Sequence, residues 1–134
     1  MDVIAMLKRH EGFRSKPYRC TEGALTIGYG LNLDAGISKR EADVLLRERV
    51  QMVREELIEK LPFFLGLSEE RQAVLIDMGY NMDVSRLLKF VRTLYHIEHK
   101  QYKEAAAAML ESKWAGQVGD RAIELAYIME GNDS

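Results

Sequence analysis

Apolar residues recur at helical spacing through most of this chain, and one stretch near the N-terminus breaks the rhythm. Val3, Ile4 and Leu7 make a short apolar stripe that Asp2 can cap. Gly12 can end it, because glycine takes the left-handed backbone that closes a helix. Pro17 to Arg19 and Ala24 to Tyr29 then read as two short strands around Thr21-Glu22-Gly23, with Gly28 and Gly30 allowing a bend or a close backbone approach. Helical spacing returns at Ser38. Ser38-Lys39-Arg40-Glu41 is a capping box, and Ala42, Leu45, Leu46, Val50, Val53 and Leu57 continue one face until Pro62 stops it.

The remainder reads as helix. Ser68 caps a segment holding Ala73, Val74, Leu75, Ile76 and Met78, apolar on nearly every side, which predicts a central helix buried all round. Leu87, Leu88, Val91, Leu94, Tyr95 and Ile97 form a further stripe, Tyr102 to Leu110 a short alanine-rich helix, and Ala122 to Met129 a last one. The seven methionines read as core filler. A small sheet followed by helices, with no internal repeat or linker, predicts a predominantly helical α+β fold.

Composition narrows the classes. At 134 residues the chain suits one compact core. One cysteine excludes an internal disulfide and any multi-thiolate metal site. The start, Met1-Asp2-Val3-Ile4-Ala5-Met6-Leu7-Lys8-Arg9, has no apolar run of signal-peptide or membrane-span length, so a soluble product made in the cytoplasm is expected, without stable membrane insertion. A net charge of −2 argues against nucleic acid as the main partner. Residues 1–20 differ locally, holding Lys8, Arg9, Arg14, Lys16 and Arg19 against Asp2 and Glu11. That is either a solvated rim or a basic lip attracting an anionic polymer.

Several chemistries fall away on spacing. Gly28-Tyr29-Gly30-Leu31-Asn32-Leu33 starts like a dinucleotide fingerprint but lacks the third glycine and the helix after it. His96 and His99 share a helix face without a third ligand and read as surface residues. No nucleophile elbow is present for a serine hydrolase. What stands out is Glu11, Cys20 and Thr26, an acid at a helix end followed by two small polar groups on a hairpin. An acid at that end meets the negative pole of the helix dipole, a poor place for a merely stabilising carboxylate. Each of the three also has a plain structural explanation: a surface glutamate, a small buried thiol, a strand threonine.

The stretch from Glu11 to Gly30, EGFRSKPYRCTEGALTIGYG, resembles the active-site segment of phage-type lysozymes, the endolysins of glycoside hydrolase family 24 typified by the T-even phage enzyme. The likeness extends along the chain. Ile37-Ser38-Lys39-Arg40-Glu41-Ala42 resembles the start of the family's interlobe helix, and Leu75-Ile76-Asp77-Met78-Gly79-Tyr80-Asn81-Met82 its central helix. Ser112-Lys113-Trp114-Ala115-Gly116-Gln117 and Asp120-Arg121-Ala122 resemble its C-terminal signature. The resemblance implies a single domain over 1–134, with a small sheet lobe over about 13–37, a helical lobe from 1–11 and 61–134, and an interlobe helix over about 39–60.

It implies an activity as well: cleavage of the β-1,4 bond between N-acetylmuramic acid and N-acetylglucosamine in bacterial peptidoglycan, without a cofactor. Glu11 would be the general acid, Cys20 would stand in the water-activating position where many members have Asp, and Thr26 would help hold the water. Asn32, Tyr80 and Thr93 fall on sugar-contacting positions, Arg121 where an arginine pairs with the acid, and Glu22 and Lys113 where two residues can face each other across the cleft mouth. The protein would act as a monomer on the wall, in the periplasm or from outside, delivered by a holin-like partner. Three departures stand out: a shorter segment between Leu31 and Ile37, Leu31 in place of a histidine, and Met82-Asp83 in place of a glycine-containing turn.

Breaking a glycosidic bond needs a proton for the departing oxygen and stabilisation or capture of an oxocarbenium-like centre. Only one carboxylate of the usual pair is present. An ordinary thiol titrates near about 8.5, so only a few per cent is thiolate at neutrality unless its surroundings lower that value. Cys20 is therefore open to three roles: base, water-positioning thiol, or nucleophile attacking the sugar directly. A rival reading is a non-catalytic wall-binding or regulatory module on the same scaffold, for which the cysteine is the sole support. A third is a glycosidase acting on chitin-like polymers.

Overall fold

A computed structural model describes residues 1–131. They form two compact units, Met1–Leu45 and the chain from Leu46 onward, and α2 begins in the first and continues into the second. The described chain is α+β and predominantly helical, as its pattern predicts.

The first unit opens with α1 (Val3–Glu11). Asp2 Oδ1 accepts the N–H groups of Ile4 and Ala5 at 3.0 and 3.1 Å, satisfying two donors that the first turn leaves without partners. Gly12, at φ +71°, turns the chain out and donates its N–H to the Lys8 carbonyl at 2.9 Å. Three antiparallel strands follow in the order β1 (Arg14–Arg19), β2 (Leu25–Gly28) and β3 (Leu31–Asn32). Tyr18, Thr26 and Asn32 pair in one row across the sheet, so their side chains share a face. β1 begins three residues before the expected strand and carries an irregularity between Arg14 and Tyr18. β3 is an addition to the expectation, since two residues are too few to show a period.

α2 (Lys39–Lys60) starts at the expected capping box. Glu41 accepts the Ser38 N–H at 2.8 Å, and Ser38 Oγ accepts the Glu41 N–H at 3.1 Å. Hydrogen bonds to the carboxyl from the Ser38 backbone N–H first and from the Ser38 side chain second hold Glu41 below its ordinary pKa. Along the stripe of α2, Leu57 is buried and Val50 and Val53 are half-buried.

The second unit holds α3 (Glu69–Met82), α4 (Val84–Leu87), α5 (Val91–Glu98), α6 (Tyr102–Glu111), α7 (Lys113–Val118) and α8 (Asp120–Glu130). Its core is built from Phe64, Leu75, Met78, Leu87, Ile97, Met109, Trp114 and Met129, all buried. α6 packs on α5 and α8, and α3 on α4 and α8. Arg71 ties this arrangement together. Its guanidinium, 5% exposed, lies 3.5 Å over the Tyr102 ring and donates to the carbonyls of Met129 at 2.7 Å and Glu130 at 2.9 Å.

Three expectations need correction here. α3 is not buried all round, for Ala73 and Tyr80 are exposed and Asp77 is half-buried. The stripe from Leu87 to Ile97 is divided: Lys89 and Phe90 donate to the carbonyls of Arg86 and Leu87, closing α4 before α5 starts, and Val91 and Tyr95 are exposed. Of the methionines, Met78, Met82, Met109 and Met129 are core, whereas Met1 and Met52 are exposed. α7, capped by Ser112 Oγ on the Ala115 N–H at 3.2 Å, adds a helix that the pattern alone does not mark.

Candidate active site

The hairpin between β1 and β2 is closed by backbone. Cys20 donates its N–H to the Ala24 carbonyl at 3.0 Å, and Gly23 donates to the Cys20 carbonyl at 2.8 Å. This folds the turn around the Cys20 side chain. Its thiol is held below its ordinary pKa by the backbone N–H of Glu22 first and of Ala24 second, with a further bond to the Thr26 side chain. Burial and the Glu22 carboxylate push the other way without prevailing. Thr26 is buried, 3% exposed, and its hydroxyl donates to the Ala24 carbonyl at 2.9 Å. A hydroxyl has one proton to give. That proton serves the Ala24 carbonyl or a Cys20 thiolate, but not both at once.

Glu11 is the last residue of α1 and is exposed. Its carboxyl lies on the Tyr29-Gly30 turn between β2 and β3. A Cβ added at Gly30 would fall within that carboxyl group, 2.8 Å from Glu11 Cδ, and Gly30 itself stands at φ +74°. A side-chain-free residue is therefore required there twice over, for the backbone and for the acid. The Phe13 and Tyr29 rings meet at 5.5 Å beside it, with Lys8 Nζ 5.4 Å above the Tyr29 ring.

Within the first unit, then, Cys20 and Thr26 are in contact, and Glu11 lies on the turn that leaves the strand bearing Thr26. Asn32 shares the face of Thr26, and its Oδ1 accepts the Ala35 N–H at 3.3 Å. Glu22 is exposed at the hairpin turn. Asp34 escaped the sequence reading. It accepts the Leu25 N–H at 3.0 Å and lies 3.8 Å from Arg19. Only the fold brings this loop carboxylate back to the start of β2.

In the second unit Thr93, 3% exposed, lines a cavity of about 410 Å³ together with Phe90, Arg92, Glu111, Lys113 and Trp114. Arg92 and Glu111 form an ion pair there. Trp114 meets Phe90 edge-on at 6.2 Å and donates its indole N–H to Asn81 Oδ1 at 2.9 Å. Tyr80 is exposed on α3. Arg121 donates through Nε to Asp77 Oδ1 at 2.8 Å, with Nη2 also 2.8 Å from that oxygen. Asp77 and Asn81 were missed by sequence reasoning. The signal was available: a carboxylate and an amide interrupting the apolar run of α3, in step with Tyr80.

His96 and His99 are occupied locally, by Gln101 Oε1 at 2.7 Å and by the Tyr95 carbonyl at 2.8 Å. Among the described residues no group of three or more His, Cys, Asp or Glu is arranged to hold a metal ion, and no helix is long and apolar enough to cross a membrane.

The phage lysozyme family model matches residues 8–125. The chain is 30% identical to a probable T4-type lysozyme 1 of Dictyostelium discoideum, the match spanning 93% of this chain and 91% of that protein. It is 39% identical to an endolysin of Acyrthosiphon pisum secondary endosymbiont phage 1 over a shorter segment, 37% of either chain. It is 25% identical to the pre-baseplate central spike protein Gp5 of Enterobacteria phage T4, across 96% of this chain and 28% of the spike protein. The chain belongs to the phage lysozyme family and is a glycoside hydrolase that degrades peptidoglycan.

Proposed function

We propose that this lysozyme is an endolysin that cuts the β-1,4 bond between N-acetylmuramic acid and N-acetylglucosamine, with Glu11, Cys20 and Thr26 as its chemical groups. Glu11 protonates the departing glycosidic oxygen. Cys20 as thiolate takes a proton from water while that water attacks the anomeric carbon, and Thr26 holds the water and the thiolate in register. Atoms balance: the bond gains one water, Glu11 is left as carboxylate and Cys20 as thiol, and solvent restores both.

One observation carries this reading. The Cys20 thiol sits among backbone N–H donors that lower its pKa, in contact with the Thr26 side chain, which is what a sulfur base replacing a carboxylate needs. Asn32, Tyr80 and Thr93 are assigned to sugar contacts, Thr93 from within the cavity beside Trp114. Arg121, already bonded to Asp77, is assigned to electrostatic support, and Glu22 and Lys113 to the cleft mouth. The protein acts as a monomer in one domain, made in the host cytoplasm and passed to the wall by a holin-like partner.

Mass analysis of fragments released from purified sacculi tests the bond. The expected products end in reducing N-acetylmuramic acid. Fragments ending in reducing N-acetylglucosamine would refute the assignment. Glu11→Gln is expected to lose about a hundredfold or more in kcat while retaining its fold, measured by turbidity loss and circular dichroism. Undiminished lysis would remove Glu11 from the chemistry.

A further inference from the structure

A second groove, of about 520 Å³, lies between α2 and the α3–α4 corner, and only Tyr80 among its residues has a role in the reading above. Its floor is set by a glycine. A Cβ at Gly79 would stand 2.9 Å from Val53 Cγ1 and 3.2 Å from Val84 Cγ2, so three helices meet with no side chain from position 79 between them. One rim is the face of α2 that carries Arg49, Met52 and Glu56, three and then four residues apart. Tyr80 and Asp83 make the opposite rim. Side chains of both signs thus share one trough. None of Arg49, Glu56 or Asp83 has a side-chain hydrogen bond or ion pair among the described residues.

We propose that this groove binds the peptide stem of peptidoglycan, Arg49 taking a free carboxylate of the stem and Glu56 with Asp83 taking the free ammonium of its diamino residue. The inference rests on peptidoglycan being the substrate. Neutral sugars have no use for unpaired charges of both signs. A polyanion is repelled by the two carboxylates and a polycation by the arginine, whereas a peptide carrying both charges meets both. Arg49 and Glu56 are seven residues apart, about 10.5 Å along a helix. In an extended stem, the carboxylate of the γ-linked acidic residue and the side-chain amine of the next residue are also on the order of 10 Å apart. Tyr80 and the flexible Met52 supply apolar walls for the methylenes between them.

The test uses the full chain, isotopically labelled, with the free tetrapeptide L-Ala–γ-D-Glu–meso-diaminopimelate–D-Ala as probe. Amide signals of Arg49–Glu56 and Gly79–Ser85 are expected to shift on titration. Acetylating the side-chain amine of the peptide, or combining Glu56→Gln with Asp83→Asn, is expected to weaken binding about tenfold. The acetylated peptide needs no variant, so folding of the variant does not decide the outcome. Shifts confined to other surfaces, absence of shifts, or equal binding of the acetylated peptide would overturn the proposal. Cleavage of sacculi by the unmodified protein is followed in parallel. Cleavage without stem binding refutes the groove alone, and stem binding without cleavage refutes the muramidase reading and leaves the groove standing.

Discussion

At the scale of single residues, the proposed chemistry turns on one sulfur. Backbone N–H groups of Glu22 and Ala24 hold the Cys20 thiol below its ordinary pKa, so its thiolate fraction at neutrality exceeds that of a free cysteine. A base works deprotonated, so kcat/KM is expected to rise with pH through that lowered value. Cys20→Asp is expected to retain or improve lysis and to move the rising limb towards acid, because an aspartate ordinarily titrates near about 3.9. A pH–rate profile of the variant that coincides with the parent would remove Cys20 as the group titrating on that limb. Gly30 offers a second measurement. An added Cβ would drive into the Glu11 carboxyl. Gly30→Ala is expected to lower kcat/KM about a hundredfold through misplacement of the acid. The left-handed backbone alone adds a cost of about 1–2 kcal/mol in unfolding free energy, and denaturant titration beside the lysis assay separates the two effects.

Among elements, the α3–α4 junction is where local conformation and sequence disagree. Asp83 sits at φ +75°, ψ +146°, a region that side chains disfavour, at the position where the family resemblance leads one to expect a glycine-containing turn. Asp83→Gly is expected to raise stability by about 1 kcal/mol in chemical denaturation, while weakening stem-peptide binding in the groove it lines. Elements that announce themselves by caps were readable from the chain: Asp2, Ser38 and Ser68 each bond the N–H groups that their positions foretell. Those that depend on distant partners were not. β3 exists because Leu31 and Asn32 pair with Ile27 and Thr26, and two residues carry no periodicity of their own. α5 is separate from α4 because two tight backbone bonds interrupt a stripe that looks continuous in sequence. The same division applies to the site. Glu11, Cys20 and Thr26 stood out by spacing and by resemblance, whereas Asp77 and Asn81 matter through Arg121 and Trp114, more than thirty residues away in the chain.

For the molecule as a whole, charge is unevenly spread. Five of its cations fall within the first twenty residues although the net charge is −2. Attraction of that segment to an anionic wall would be screened by salt. Lys16→Glu is expected to weaken sedimentation with isolated walls roughly threefold at low ionic strength, the difference from the parent vanishing at high salt. A difference that persists in high salt would point to a contact other than charge. Arg71 has a consequence of another kind. It grips two peptide carbonyls at the close of α8 and touches neither side chain of Met129 or Glu130 through those bonds, so the clasp is indifferent to what those side chains are. Variation of the side chain at residue 130 leaves those two bonds in place. Deletion from Met129 onward removes both carbonyls that receive this buried cation, so the last turn of α8 is a hazardous place to trim the enzyme.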